Sequence, residues 1–180
     1  MNKFTIVVVL LLFVSCKDHA QQNKSGAKPG TGHAKGVGNP LFDIKAPKGW
    51  TKTDTFLMGQ NFTLLRSAQE ENDDFIENAN VVTEDVGSLS LDEYYKKSLE
   101  SIRAQLTDFS IIEEHKTVIS HTQFMNLKYT HVYSGIPIDV DAYLAVHNKK
   151  GYVITCSTSK GMLAKWQETF DEIMASFSIH

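Results

Sequence analysis

One stretch decides the fold class of this chain: residues 138–147 read IDVDAYLAVH. Polar and apolar side chains alternate along it, so Ile138 and Val140 face one way while Asp139 and Asp141 face the other. Such alternation is typical of an antiparallel strand that has one face on the core and the other in water. We therefore expect both aspartates to lie on a solvated sheet face.

The neighbouring segments extend this strand into an antiparallel meander. The predicted strands of the meander are residues 111–119, 123–133, 138–147 and 152–158. Between the last two, the turn residues 148–151 predict a type I turn with Gly151 in the left-handed conformation, which makes a bulged hairpin. A polar, acidic loop is predicted at residues 67–79. Shorter strands are predicted nearer the N-terminus, at residues 41–44, 51–58, 61–66 and 80–86.

Two amphipathic helices accompany the predicted sheet. Ser90 and Glu93 form a capping box, in which each side chain satisfies the backbone amide of the other residue. Apolar residues then recur at intervals of three and four, which predicts a helix. A second helix of the same periodicity is predicted from Leu163 to Phe177. A mainly antiparallel sheet with helices on its faces makes the domain α+β. The stripe of the first helix comprises Leu91, Tyr95, Leu99, Ile102 and Leu106.

The N-terminus carries the parts of a signal peptide, predicted at residues 1–15. A positive end precedes the apolar run Phe4–Val14, which is too short to span a bilayer, since a span needs about 20 apolar residues. Residues 13–16 read FVSC and resemble the lipobox of bacterial lipoproteins, although Phe13 stands where Leu is usual. The resemblance implies that Cys16 becomes the lipidated first residue of the mature chain, and acyl chains such as palmitate would hold it at the membrane.

Residues 16–39 are predicted to be the lipidated cysteine and a flexible tether, and residues 40–180 a globular domain. The tether is polar and glycine-rich, so it cannot bury enough apolar surface to fold. Its four lysines against Asp18 give a net charge of +3, whereas the domain holds 13 basic and 20 acidic residues. The domain therefore offers no basic field for nucleic acid. By resemblance to the bacterial sorting rule, Lys17 after the cysteine favours the outer membrane.

Two segments of the domain point to a known fold. Residues 42–50 read FDIKAPKGW, and the last helix ends in the pattern Phe170-x-x-Ile173-x-x-Ser176-Phe177. With the order of elements, these segments resemble the PsbP-like fold, and within it the DcrB-type envelope lipoproteins. The resemblance implies a central antiparallel sheet between helices in an α/β/α sandwich. It also implies protein binding as the common role, with no shared catalytic residues.

Two groups of carboxylates are candidates for chemistry. Glu70, Glu71, Asp73, Asp74 and Glu77 cluster in the acidic loop with Asn72, and such oxygen ligands can hold Ca²⁺. The cluster lacks the glycine and the spacing of an EF-hand loop, which favours a solvated loop. Asp139 and Asp141 could perform acid–base work if burial separated their pKa values. A wet sheet face explains that pair without catalysis.

Histidines and cysteine give no further site. No two of the domain's histidines have the spacing of a metal site. His131 shares the parity of apolar neighbours, which predicts a hydrogen-bonded core histidine. Cys156 lies among apolar residues of its predicted strand, and free cysteine is commonly buried. The five histidines are His115, His121, His131, His147 and His180.

The sequence thus favours a non-enzymatic, lipid-anchored envelope protein that binds an envelope partner or supports an assembly, with no cofactor and no metal. Tyr94 and Tyr143 lie outside the core patterns, so we expect them to be exposed, where aromatic residues can anchor an interface. The alternative is a small-ligand or metal-binding lipoprotein, with a pocket between sheet and helix or at the acidic loop. A hydrolase would need two of four residues to converge in a cleft: Asp139, Asp141, His131 and His147.

Overall fold

The computed structural model describes residues 39–57, 60–69 and 75–180. The predictions for the signal peptide, for Cys16, for the tether up to residue 38 and for residues 70–74 of the acidic loop fall outside these residues. The described elements, in chain order, are β1 (Phe42–Asp43), β2 (Thr51–Leu57), β3 (Gln60–Arg66), β4 (Asn78–Asp85), α1 (Leu91–Gln105), β5 (Thr107–Ile119), β6 (Thr122–Tyr133), β7 (Ile136–His147), β8 (Lys150–Ser159), α2 (Leu163–Ala175) and β9 (Ser178–Ile179).

The described residues form an α+β domain around a large antiparallel sheet, as predicted. Seven strands lie in the order β2-β3-β4-β8-β7-β6-β5, and every neighbouring pair is antiparallel. Helix α1 connects β4, inside the sheet, with β5 at its edge. The short strands β1 and β9 pair with each other, which joins the two ends of the domain.

The two helices cover opposite faces of the sheet. Ile138 and Val140 of β7 belong to the apolar cluster under α1, whereas Tyr143 belongs to the cluster under α2. The predicted alternation is therefore correct, but the prediction of a solvated face is wrong. Asp139 is only 6% exposed and Asp141 is fully buried, because α2 packs over β7 and β8.

Helix α1 begins at the predicted capping box but presents a different face to the sheet. The backbone amide of Glu93 donates to Ser90 Oγ at 3.3 Å, and the amide of Ser90 donates to the Glu93 carboxylate at 2.9 Å. Its buried residues are Tyr94, Ser98 and Ile102, so Ile102 is the one buried member of the predicted stripe and the other four are half-buried. The prediction that Tyr94 is exposed is wrong, because its hydroxyl donates to Glu84 at 2.6 Å on the adjoining strand.

The hairpin between β7 and β8 has a tighter turn than predicted. His147 pairs with Lys150, so Asn148 and Lys149 are the only turn residues, with φ of 48° and 63°. This is a type I′ turn, whose twist matches that of the flanking strands better than a type I turn does. Gly151 lies inside β8, where a Cβ would stand 2.6 Å from Cζ of Tyr94. The glycine thus serves a close approach of α1 rather than the turn.

The C-terminal helix ends two residues before the predicted position. Ser176 stops α2, since its hydroxyl donates back to the carbonyl of Ile173 at 2.7 Å and accepts the amide of Lys45 at 3.0 Å. Phe177 then packs against Phe42 at a ring distance of 5.5 Å. The sequence did not predict that this segment continues as a strand paired with β1. Neither described helix has the length and apolar character that crossing a membrane requires.

Candidate functional site

A cleft of about 450 Å³ opens on the α2 face of the sheet. It forms because α2 packs on β7 and β8 and leaves the same face of β6 and β5 open beside the helix. Side chains of three strands form its floor and the second half of α2 forms its wall. The polar residues that line it are His115, Thr117, Asn126, Lys128, Tyr143, Gln167 and Asp171.

Asp141 lies fully buried beneath this cleft and accepts three hydrogen bonds. Nδ2 of Asn126 donates to one carboxylate oxygen at 2.5 Å. The hydroxyl of Tyr143 and Nε2 of Gln167 donate to the other oxygen at 3.1 and 3.3 Å. Burial raises the pKa of the Asp141 carboxyl, and the hydrogen bonds and the charge of Lys128 offset only part of that effect.

A chain of polar groups leads from Asp141 to the mouth of the cleft. Nζ of Lys128 donates to Oε1 of Gln167 at 2.9 Å, and Nε2 of Gln167 also donates to the exposed Asp171 at 2.9 Å. Lys128 Nζ also lies 3.9 Å from the carboxylate of Glu113 on the edge strand. The cleft therefore offers both a cation and carboxylates at its rim, which suits a polar or charged group of a partner.

Tyr143 contributes to the floor of the cleft instead of being exposed as predicted. Burial raises the pKa of its phenol, and the neighbouring Asp141 carboxylate adds to that effect. Burial likewise raises the pKa of the Cys156 thiol, which lies fully buried as predicted. Both shifts oppose formation of the anionic nucleophile that covalent catalysis needs.

The structure places Asp139 and Asp141 on one face but gives them separate partners. Asp139 accepts the backbone amide of Gly161 at 2.7 Å and so holds the turn that leads into α2. His131, opposite Ile138, points to the α1 face, and His147 is exposed beside the β7–β8 turn. A hydrolase would need two of these four residues in a cleft, and none of the four lines the cleft beside α2.

His131 is a core residue, as predicted. It is 1% exposed and its ring stacks on Tyr129 at 5.8 Å. Burial lowers the pKa of His131. A neutral histidine packed against an aromatic ring contributes to the core rather than to a metal site.

Glu77, expected in a solvated acidic loop, is buried instead. It is 2% exposed and accepts the hydroxyl of Thr158 at 3.0 Å. Its backbone carbonyl accepts the amide of Ser67 at 3.0 Å, which joins the first residue of the predicted loop to Glu77. Within the described parts of the chain, no three His, Cys, Asp or Glu side chains come close enough to hold a metal ion.

Sequence reasoning missed Asn126 and Gln167, the two amides that hold Asp141. The signal for Gln167 is its position, because it lies four residues after Leu163 and three before Phe170, on the apolar side of the helix. A polar residue at such a position indicates a buried partner. Asn126 has no comparable signal, since Asn in the middle of a strand pattern also fits a solvated face.

Comparison with known proteins supports the fold. No family pattern matches the chain, and no curated protein is similar to it in sequence. Solved structures do match. Cyanobacterial PsbP (CyanoP) from Synechocystis sp. PCC 6803 superposes with a TM-score of 0.54 and 16% identity, covering 83% of this chain and 99% of that one. The domain has the PsbP-like fold.

Two further structures share this fold. LpqN of Mycobacterium tuberculosis, described as involved in cell envelope biogenesis, has a TM-score of 0.60 and 10% identity, covering 81% of this chain and 87% of that one. The Saccharomyces cerevisiae Ran-binding protein Mog1p has a TM-score of 0.54 and 13% identity, covering 77% and 89%. At these identities the likeness concerns the fold alone.

Proposed function

We propose that this chain is a lipid-anchored protein of the bacterial cell envelope, in which the PsbP-like domain binds another protein and catalyses no reaction. The observation that carries the proposal is the combination of a lipobox-like segment ending at Cys16 with an open polar cleft on the domain. The first would supply an anchor, and the second a surface for a partner.

The composition and length of the segment between Cys16 and the domain are those of a flexible tether. Residues 17–39 number 23 and carry no large apolar side chain. A flexible chain of this length has a typical end-to-end distance of roughly 25–30 Å. The tether would keep the cleft near the membrane while leaving the domain free to turn toward a partner. Its lysines would favour an anionic membrane surface.

The cleft supports binding more than catalysis. The oxygens of Asp141 are already occupied by neutral donors from Asn126, Tyr143 and Gln167. Such a network holds its groups in fixed positions, which favours recognition, whereas a general base needs an oxygen directed at a substrate proton. The neighbours of similar fold include a Ran-binding protein, which supports a binding role, and an envelope-biogenesis protein, which supports a role in the envelope.

The anchor is tested by intact mass and membrane fractionation of Cys16→Ala. We expect the wild-type chain to begin at residue 16, to carry added lipid mass and to sediment with membranes, and the variant to lose all three properties. Cys156→Ala is the matched control, because that thiol is buried in the domain and should leave lipidation unchanged. An unprocessed or soluble wild-type chain would contradict the anchor.

Partner binding is tested by site-specific photo-cross-linking in cells. A cross-linker at Asp171 stands at the rim of the cleft, and one at Glu100 stands exposed on α1, over the opposite face. We expect a discrete cross-linked protein from position 171 that is absent from position 100. Equal products from both positions, or none from position 171, would argue against the cleft as a binding surface.

The second candidate is a small-ligand protein, favoured by the cleft volume of about 450 Å³. That volume lies within the usual range of ligand pockets, roughly 300–1,000 Å³. A thermal-shift screen with Ca²⁺, Zn²⁺ and common metabolites separates the two candidates, because a ligand that binds only the folded state raises the melting temperature. A shift that disappears when the cleft-lining Lys128 is changed by Lys128→Met would favour a ligand at the cleft over a protein partner.

A further inference from the structure

Strand β5 forms an uncovered edge of the seven-stranded sheet. It spans 13 residues and pairs with β6 on one side, while its other side has no strand beside it among the described residues. The unpaired amides and carbonyls of such an edge are a template for another strand. Ile112 and Val118, which are 53% and 66% exposed, are the two exposed large apolar side chains of the described chain, and both lie on β5.

The sequence of this edge is complementary to itself. Residues 111–119 read IIEEHKTVI, so the apolar ends flank a charged centre at His115. In an antiparallel pair of two copies centred on His115, Glu114 faces Lys116 and Glu113 faces Thr117. A pair of opposite charges such as Glu114 and Lys116 stabilises a sheet by roughly 0.2–1 kcal/mol. The register of β5 shifts between Ile111 and Glu113, so regular pairing ends there, with the apolar Ile111 and Ile112 of one copy near Val118 and Ile119 of the other.

Other registers fit less well. A two-fold axis perpendicular to the sheet places one residue of the strand opposite its own copy. The candidates for this central residue lie between Glu113 and Ile119, because this stretch pairs with β6 without a register shift. Centring the pair on Glu113, Glu114 or Lys116 sets identical charges against each other, which destabilises a sheet. Centring it on Thr117, Val118 or Ile119 opposes Lys116 to Val118, Ser120 or Thr122, none of which carries a charge.

We propose that two copies of this chain pair antiparallel through β5, about a two-fold axis at His115. The two sheets then become one continuous sheet, and the exposed Ile112 and Val118 of each copy become covered by the other. Because the axis is perpendicular to the sheet, both clefts lie on the same face. His115 and Thr117 line the cleft, so the two clefts would meet at the axis as one groove. This inference is independent of the proposed partner binding.

The pairing is tested first by disulfide cross-linking of the full chain. In the proposed register His115 lies opposite its own copy, so His115→Cys should give a covalent dimer under mild oxidation. Thr53→Cys is the matched control, because Thr53 is exposed on β2 at the other edge of the sheet. A dimer yield from position 115 no greater than from position 53 would overturn the proposal.

A charge exchange tests the register itself. In the His115→Cys background, Glu114→Lys alone or Lys116→Glu alone sets like charges opposite each other twice, and the dimer yield should fall about tenfold. The combined exchange restores opposite charges and should restore the yield. Thermal melts of each variant check folding, since Glu114 accepts the hydroxyl of Tyr95 and Lys116 pairs with Asp92. A folded double variant without restored dimer would overturn the register.

Discussion

At the residue scale, the buried carboxylate of Asp141 holds side chains that line the cleft in position. Three donors converge on its carboxylate from β6, β7 and α2. A buried donor that loses its acceptor costs the folded state about 1–3 kcal/mol, whereas a change that keeps an acceptor in place costs little. Because both carboxylate oxygens accept, stability at this site depends on keeping two acceptors in place.

We predict that Asp141→Ala lowers the free energy of unfolding by about 2–4 kcal/mol, because it leaves the amides of Asn126 and Gln167 and the hydroxyl of Tyr143 without their acceptor. Asp141→Asn keeps one acceptor oxygen but puts an amide donor in place of the other, so it should lower the free energy of unfolding by about 1–2 kcal/mol, less than Asp141→Ala does. Urea unfolding at neutral pH measures both. Equal losses for the two variants would show that the oxygen kept by asparagine contributes no stabilising hydrogen bond.

The same carboxyl should make stability depend on pH. Its pKa is raised above the ordinary value of 3.8, so the folded chain binds this proton more tightly than the unfolded chain does. The resulting stabilisation is complete below pH 3.8 and is lost as the pH rises through the folded pKa. We expect the unfolding free energy of the wild type, relative to Asp141→Asn, to increase as the pH falls from 7 toward 3.8. A difference that grows with pH instead would contradict this prediction.

The ring of Tyr94 lies so close to position 151 that a side chain there would collide with it. We predict that Gly151→Ala lowers the unfolding free energy by about 1–3 kcal/mol, because its Cβ would stand 2.6 Å from Cζ of Tyr94 and 2.8 Å from a methyl group of Val86. A double-mutant cycle with Tyr94→Ala supplies the control, since removing the ring should make the glycine substitution less costly. If the two effects simply add, the close approach to Tyr94 is not the cause.

At the element scale, periodicity predicted helices and strands well but not what covers them. The capping box at Ser90 and the alternation from Ile138 onward are local patterns, and both are confirmed. Tyr94 and Tyr143 were expected to be exposed because they fall outside those patterns. Their burial depends on which strands each helix crosses, and that is decided by packing between segments far apart in the chain.

The turn between β7 and β8 was predicted incorrectly because the left-handed conformation was assigned to Gly151, the residue type that adopts it most readily. In the structure Lys149 adopts that conformation, with φ of 63°. A residue with a side chain is destabilised by roughly 1–2 kcal/mol in the left-handed conformation. Glycine avoids this strain, but part of the gain is offset because glycine loses more conformational entropy on folding.

We therefore predict that Lys149→Gly, which creates an Asn-Gly type I′ turn, raises the unfolding free energy by about 0.5 kcal/mol. Thermal unfolding measures the change. Lys150→Gly is the control, because Lys150 lies in β8 opposite His147 and should lose stability instead. A loss at both positions would show that left-handed strain at Lys149 is negligible.

At the scale of the whole molecule, the pairing of β1 with β9 closes the domain. The resemblance of residues 42–50 and of the last helix predicted the α/β/α architecture, but no local pattern in Ser178–Ile179 predicted a strand. Two residues are too few for alternation to show. The cleft was foreseen only as a pocket between sheet and helix, since its position follows from the crossing of α2 over β7 and β8.

Phe42 holds this closure, because it is 1% exposed and packs against Phe177. We predict that Phe42→Ala lowers the unfolding free energy by about 3–5 kcal/mol. Lys48→Ala, an exposed change in the following turn, should alter it by less than about 0.5 kcal/mol. Denaturant unfolding of both variants measures the difference, and similar values would mean that β1 contributes little to the core.

Under the proposed N-terminal anchoring, the pairing of β1 with β9 also has a mechanical consequence. Tension between a membrane anchor and a bound partner would reach β1 first, and the two residue pairs between β1 and β9 are far fewer than those between neighbouring strands of the main sheet. We expect this contact to open before the sheet does. Residues 40–50 would then extend to a length of roughly 35 Å, at about 3.3 Å per residue. Opening of the β1–β9 pair would lengthen the tether under tension while the sheet and the cleft stay folded.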